Sequence, residues 1–184
     1  MKKTIRLCLL FATLLLPVLV TRAQAQSTPA SQPRYKDLVA ENSNADVDIK
    51  VVGDFLNSLV SGDLEKAKSL LTEKFKGYGP APADSSTAEE TINSWKGNYI
   101  TQSNRKVDFL PATFMVLSGN LKGEWVSVWG TYSFAQDGKN LSFPFQYTAR
   151  VTDGKIDTDR VYYDRLYIFQ TLGYKVTPPE KEKK

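Results

Sequence analysis

The sequence predicts an α+β domain in which three helices pack on one face of a curved antiparallel sheet and a short helix closes the chain. Three observations carry this expectation. Apolar residues recur at helical spacing between Val47 and Tyr99, then at strand spacing between Val107 and Tyr163. Asp137-Gly138 and Asp153-Gly154 stand between apolar runs, a strong short-range hairpin signal. The 184 residues, 41% of them hydrophobic, supply material for one core.

The chain starts with the features of a signal peptide over residues 1–25. Lys2, Lys3 and Arg6 form a basic start, Leu7 to Val20 an apolar run, and Ala23-Gln24-Ala25 a small-x-small cleavage site. The apolar run is shorter than the roughly 20 residues a spanning helix needs. The expectation is therefore cleavage before Gln26, a periplasmic or secreted mature protein, and no stable membrane insertion. The only cysteine, Cys8, leaves with the signal. Residues 26–44 carry Pro29, Pro33 and Asn42-Ser43-Asn44 and read as a flexible linker.

The domain itself is expected over residues 45–175. Val52, Phe55, Leu56, Leu59 and Val60 make the apolar face of a first helix, ended at Gly62. Asp63 can cap a second helix, with Leu64, Ala67, Leu70, Leu71 and Phe75 on its apolar face. Gly77 to Pro82 breaks helical structure, and Thr87-Ala88-Glu89-Glu90 has the residues of a capping box for a third helix carrying Ile92, Trp95 and Tyr99. Strands follow over Val107–Leu117, Gly123–Ala135, Leu141–Val151 and Lys155–Tyr163, rich in Val, Thr and aromatic residues. Leu141, Phe143, Phe145, Tyr147, Ala149 and Val151 share one strand face, as do Val126, Val128, Tyr132 and Phe134 on the strand before. Residues 176–184 end in Pro178-Pro179 and a mixed charge run, a solvated tail.

Composition excludes several function classes. The full chain has 24 basic and 20 acidic residues. The signal holds four of the basic ones and none of the acidic, so the mature chain is balanced. A balanced chain does not suit nucleic-acid binding, which depends on neutralising phosphates. The chain contains no histidine, and Asp108, Glu124 and the Asp157/Asp159 pair form no recognisable metal set. No phosphate-cradling glycine loop or serine-nucleophile motif appears. Neither a metal nor an organic cofactor is expected.

Asp164, between the last strand and the last helix, has two readings. In an apolar pocket its pKa would rise and it could take a proton from carbon beside a carbonyl. Alternatively it is the N-cap of a helix carrying Leu166, Phe169 and Leu172. Counting back by two places Tyr162 and Arg160 on its strand face, where a hydroxyl could polarise a carbonyl and a guanidinium hold an anion. They read equally as a core-edge aromatic and a surface cation. Trp125, Trp129, Trp95, Tyr99 and Tyr78 are the candidate aromatic walls of a pocket or interface, or plain packing residues.

The ending Asp153-Gly154-Lys155-Ile156, Tyr163-Asp164-Arg165-Leu166 and Gln170-Thr171-Leu172-Gly173 resembles the SnoaL-like branch of the nuclear transport factor 2-like (NTF2-like) superfamily. Ser61-Gly62-Asp63 and Tyr78-Gly79-Pro80 are similar as well. The resemblance implies a cone of helices in a strongly bent sheet around an apolar pocket. It also implies an aspartate at the position of Asp164 acting as acid/base in a cofactor-free aldol ring closure, as in SnoaL-like polyketide cyclases. Those enzymes often line the pocket with histidines, which this chain lacks. The expected function is binding of a small, partly apolar molecule or service as an interaction module, including pairing as a homodimer. The alternative is a cyclase or isomerase working through Asp164.

Overall fold

The structure, a computed structural model, describes residues 33–177. The expected signal peptide, the expected linker up to residue 32 and the expected tail from residue 178 lie outside the described residues.

The helical half begins with α1 (Tyr35–Leu38) and a two-residue strand β1 (Val39–Ala40). Helices α2 (Ala45–Ser61) and α3 (Leu64–Ser69) follow, then β2 (Leu71–Tyr78), β3 (Ser85–Ser86) and α4 (Ala88–Thr101). Four long strands come next, β4 (Ser103–Val116), β5 (Gly123–Gln136), β6 (Lys139–Thr152) and β7 (Lys155–Tyr163), and α5 (Arg165–Leu172) closes the domain. The sheet order is β1-β4-β5-β6-β7-β2-β3. Every neighbouring pair is antiparallel except β2 with β7.

Local signals explain most of these elements. Asp63 accepts from the Lys66 amide to start α3. At α4 the Thr87 hydroxyl accepts from the Glu90 amide and the Glu90 carboxylate accepts from the Thr87 amide at 2.7 Å, a reciprocal cap. Asp137-Gly138 and Asp153-Gly154 both have positive φ at both residues, the backbone a tight hairpin needs.

Two expectations are corrected. The second helix does not reach Phe75: it stops at Ser69, and Leu71–Tyr78 is a strand. Leu71, Phe75 and Gly77 are buried by pairing β2 in parallel with β7, where Gly77 lies beside Asp159. The expected linker also ends early. Asn42 is buried, and its amide donates to Asp48 at 2.7 Å and to the Thr113 hydroxyl at 2.8 Å, fastening the segment before α2 to β4.

The core lies between α2 and the inner face of the sheet. Val52, Phe55 and Leu59 meet Val126 and Val128 of β5 and Tyr147, Ala149 and Val151 of β6. A second cluster of Phe134, Leu141 and Phe143 receives Ile168 and Leu172 of α5. Between the clusters the inner face opens into a cavity.

Candidate functional site

The cavity has a volume of about 470 Å³. Its apolar wall includes Phe55 of α2, Phe134 of β5 and Phe143 and Phe145 of β6. Trp95 of α4 closes the opposite side, edge-on to Tyr132 at 5.8 Å between ring centroids. Tyr163 of β7 lies beside Phe143 at 5.8 Å. Into this aromatic chamber the sheet presents one buried carboxyl, that of Asp159.

A β-bulge puts Asp159 there. Arg150 of β6 pairs with Thr158, but Val151 pairs with Ile156, so β7 carries one extra residue, Asp157. Ile156 faces the core before the bulge, and after it the inward positions are Asp159, Val161 and Tyr163. Asp157 turns outward to an ion pair with Arg150 at 2.9 Å. Gly77 of β2 allows the close approach on the other side: a Cβ there would stand 3.0 Å from Asp159 Oδ1 and 2.9 Å from Ser86 Oγ.

The buried Tyr147 hydroxyl donates to Asp159 Oδ2 at 2.8 Å, and the Tyr78 amide also donates to this carboxyl. Burial pushes the Asp159 pKa up to about 7, outweighing those two hydrogen bonds, which lower it. Burial first, and the neighbouring carboxyl second, raises the Tyr147 hydroxyl well above its ordinary value. Burial likewise raises Tyr132 and Tyr163, so both remain protonated donors across the neutral range. Tyr132 spends its proton on Gln102 Oε1 at 2.7 Å. The chamber therefore combines a carboxyl poised between its two charge states with neutral hydroxyls and aromatic surface. Among the described residues no group of three or more His, Cys, Asp or Glu side chains is placed to hold a metal ion.

No family model matches the chain, and no curated protein matches it by sequence. Solved structures do match. A proposed polyketide cyclase from Xanthomonas campestris pv. campestris is 12% identical, with a TM-score of 0.59 over 71% of this chain and 100% of that one. A Burkholderia thailandensis protein described as NTF2-like is 18% identical, with a TM-score of 0.55 over 69% of this chain and 98% of that one. This chain has the NTF2-like fold. A Catenulispora acidiphila protein with a ketosteroid isomerase-like fold, solved in complex with trimethylamine, is 15% identical, with a TM-score of 0.56 over 70% of this chain and 98% of that one.

Within the NTF2-like cone, only two of the expected site residues line the cavity, Tyr78 and Trp95. Asp164 is exposed and lies outside it. Its Oδ1 accepts from the Tyr167 amide at 2.9 Å, which makes it the N-cap of α5. Arg160 and Tyr162 are exposed, with the Arg160 guanidinium 4.9 Å from the centre of the Tyr78 ring and 3.3 Å from the Tyr162 hydroxyl. Trp125 is buried on the outer face, its indole N–H donating to the Leu121 carbonyl at 2.7 Å. Trp129, 53% exposed, stands between Leu110 and Gln146 in one cross-strand row that continues to Tyr162. Tyr99 donates to the Leu59 carbonyl and lies under the Arg105 guanidinium, tying α4 to α2.

No helix among the described residues is long and apolar enough to cross a membrane.

Proposed function

We propose that this protein binds a small, partly apolar molecule inside the cone, with the Asp159 carboxyl as its principal polar contact. The observation that carries the reading is one buried carboxyl in an aromatic-walled cavity of about 470 Å³. Pockets of this size, mostly apolar with a few placed polar groups, suit small organic guests. A thermal-stability screen against hydrophobic metabolites tests it. At least one compound is expected to raise the melting temperature, and Asp164→Asn, facing away from the cavity, should respond as the parent does. A protein whose melting temperature no compound moves would end the reading.

The carboxyl poised near neutrality favours a second reading, acid–base chemistry on the bound guest. Asp159 would take a proton from carbon beside a carbonyl, and a protonated tyrosine such as Tyr163 would donate to the developing enolate oxygen. The proposed polyketide cyclase among the fold neighbours supports this class of reaction. On an identified substrate, Asp159→Asn should lower turnover by about a hundredfold or more, while Asp164→Asn keeps it. The reverse pattern would return the chemistry to Asp164.

We also propose that residues 1–25 direct export and are removed before Gln26, leaving the domain to work in the periplasm or outside the cell. The basic start, apolar run and Ala23-Gln24-Ala25 site support this. Intact mass measurement of the protein from a periplasmic fraction should find a chain starting at Gln26. A cytoplasmic chain retaining residues 1–25 would overturn the proposal.

A further inference from the structure

The charges around the cavity are unequal. Asp159 and Glu90 line it as acids, and among the described residues Arg165 is the only basic one in the lining. The Arg165 guanidinium is already paired with Asp84 at 2.9 Å. Glu90 is turned back on its own helix, accepting from the Thr87 amide. Asp159 accepts only from neutral donors, the Tyr147 hydroxyl and the Tyr78 amide. A buried carboxylate ordinarily has a cationic partner, because desolvation of the bare charge is costly. Among the described residues, Asp159 has none.

The chamber is also built to hold positive charge. Aromatic faces attract cations through the ring quadrupole, most strongly where water is excluded. Trp95, Tyr132, Phe143, Phe145 and Tyr163 surround the space that Asp159 faces. A small inorganic cation would need several oxygen ligands, and among the described residues no group of three or more His, Cys, Asp or Glu side chains is placed to hold one. An organic cation needs only one counter-charge and apolar contact for its alkyl groups.

We infer that the guest is an organic cation, a substituted ammonium on an apolar body, whose charge is met by Asp159 and whose alkyl groups lie against the aromatic walls. The inference rests on the reading of the cone as a binding site and names the class of molecule it takes. The cavity exceeds a single ammonium group in volume, so the apolar body sits beside it. The titratable acidic and phenolic groups that line the cavity with Asp159 are Tyr147 from β6, Tyr78 from β2, Glu90 from α4, Tyr132 from β5 and Tyr163 from β7. Arg165 of α5 is the basic group there. The lining residues from α2 and β4 carry no charge. Burial brings the charge change of Asp159 to about pH 7.

Calorimetry with choline and its neutral carbon isostere, 3,3-dimethylbutan-1-ol, tests this on the purified protein. The two have the same shape and differ in charge. At about pH 8.5, with Asp159 ionised, choline is expected to bind about tenfold or more tighter than the alcohol. At about pH 5.5, with Asp159 protonated, most of that preference should vanish. Asp159→Asn should remove the preference at both pH values. Equal affinities at about pH 8.5, or a preference that survives in Asp159→Asn, would overturn the cation assignment alone and leave the binding reading standing. Failure of both probes to bind would count against the binding reading itself and carry the assignment down with it.

Discussion

Asp159→Asn is expected to stabilise the protein by up to about 4 kcal/mol at about pH 8 and to change its stability little at about pH 4. Burial pushes the carboxyl up to about 7 in the fold, against an ordinary value of 3.8 in an open chain. A raised folded pKa in an acid means that the folded state holds its proton through a range where the unfolded state has released it. Folding is then helped fully below about pH 4. That help is lost as the pH rises toward 7, above which the fold must carry a buried anion. Asparagine removes the anion and keeps an acceptor for the Tyr147 hydroxyl, so the hydrogen bond at 2.8 Å has a replacement. Urea denaturation at the two pH values measures the effect. A variant that is less stable than the parent at about pH 8 would show that the Asp159 anion is compensated in the fold.

That expected gain bears on function. A side chain whose charged form weakens the fold at neutral pH is not placed there by stability alone, which supports the binding and proton-transfer readings proposed above. Val161, two residues on, lines the same cavity as a plain hydrocarbon, which is what packing alone would place at position 159 as well.

How far the sequence exposed this site follows from which of its determinants are local. The amphipathic face of α2, the reciprocal Thr87–Glu90 cap and the two Asp-Gly turns depend on residues within a few positions of one another. Each was legible. The strand β2 was not, because Leu64, Ala67, Leu70, Leu71 and Phe75 also satisfy helical spacing. Its identity is decided by parallel pairing with β7, much further along the chain. The period of two does not expose Asp159, because counting back from Asp164 starts on a cap residue beyond the end of β7. Counting from the apolar Val161 would have given Asp159, but the bulge at Asp157, set by pairing with β6, would still have been invisible. The strand tryptophans misled for the same reason: both lie on the face opposite Val126 and Val128, and only the packing of α2 decides which face is inside.

Gly130→Ala is expected to destabilise the fold by about 3 kcal/mol and to abolish guest binding. Gly130 lies on the inner side of β5, opposite Phe145 of β6. A Cβ there would stand 2.6 Å from the Phe145 ring and 2.8 Å from the Asp108 carbonyl of β4. The ring could rotate away only by leaving its place in the cavity wall. The carbonyl belongs to the β4–β5 ladder and could move only by disturbing its pairing. Both adjustments act on the chamber, one by changing its wall and the other by distorting the strand that carries Tyr132 and Phe134. The companion Phe145→Leu shortens the opposing side chain, so the double variant should recover part of the lost stability. The carbonyl clash would remain, and recovery should be incomplete. Denaturant midpoints of the two single variants and the double variant give the coupling directly. A Gly130→Ala protein within about 0.5 kcal/mol of the parent and still binding its guest would show that β5 can yield at this position, and that the space beside Phe145 is slack rather than fitted.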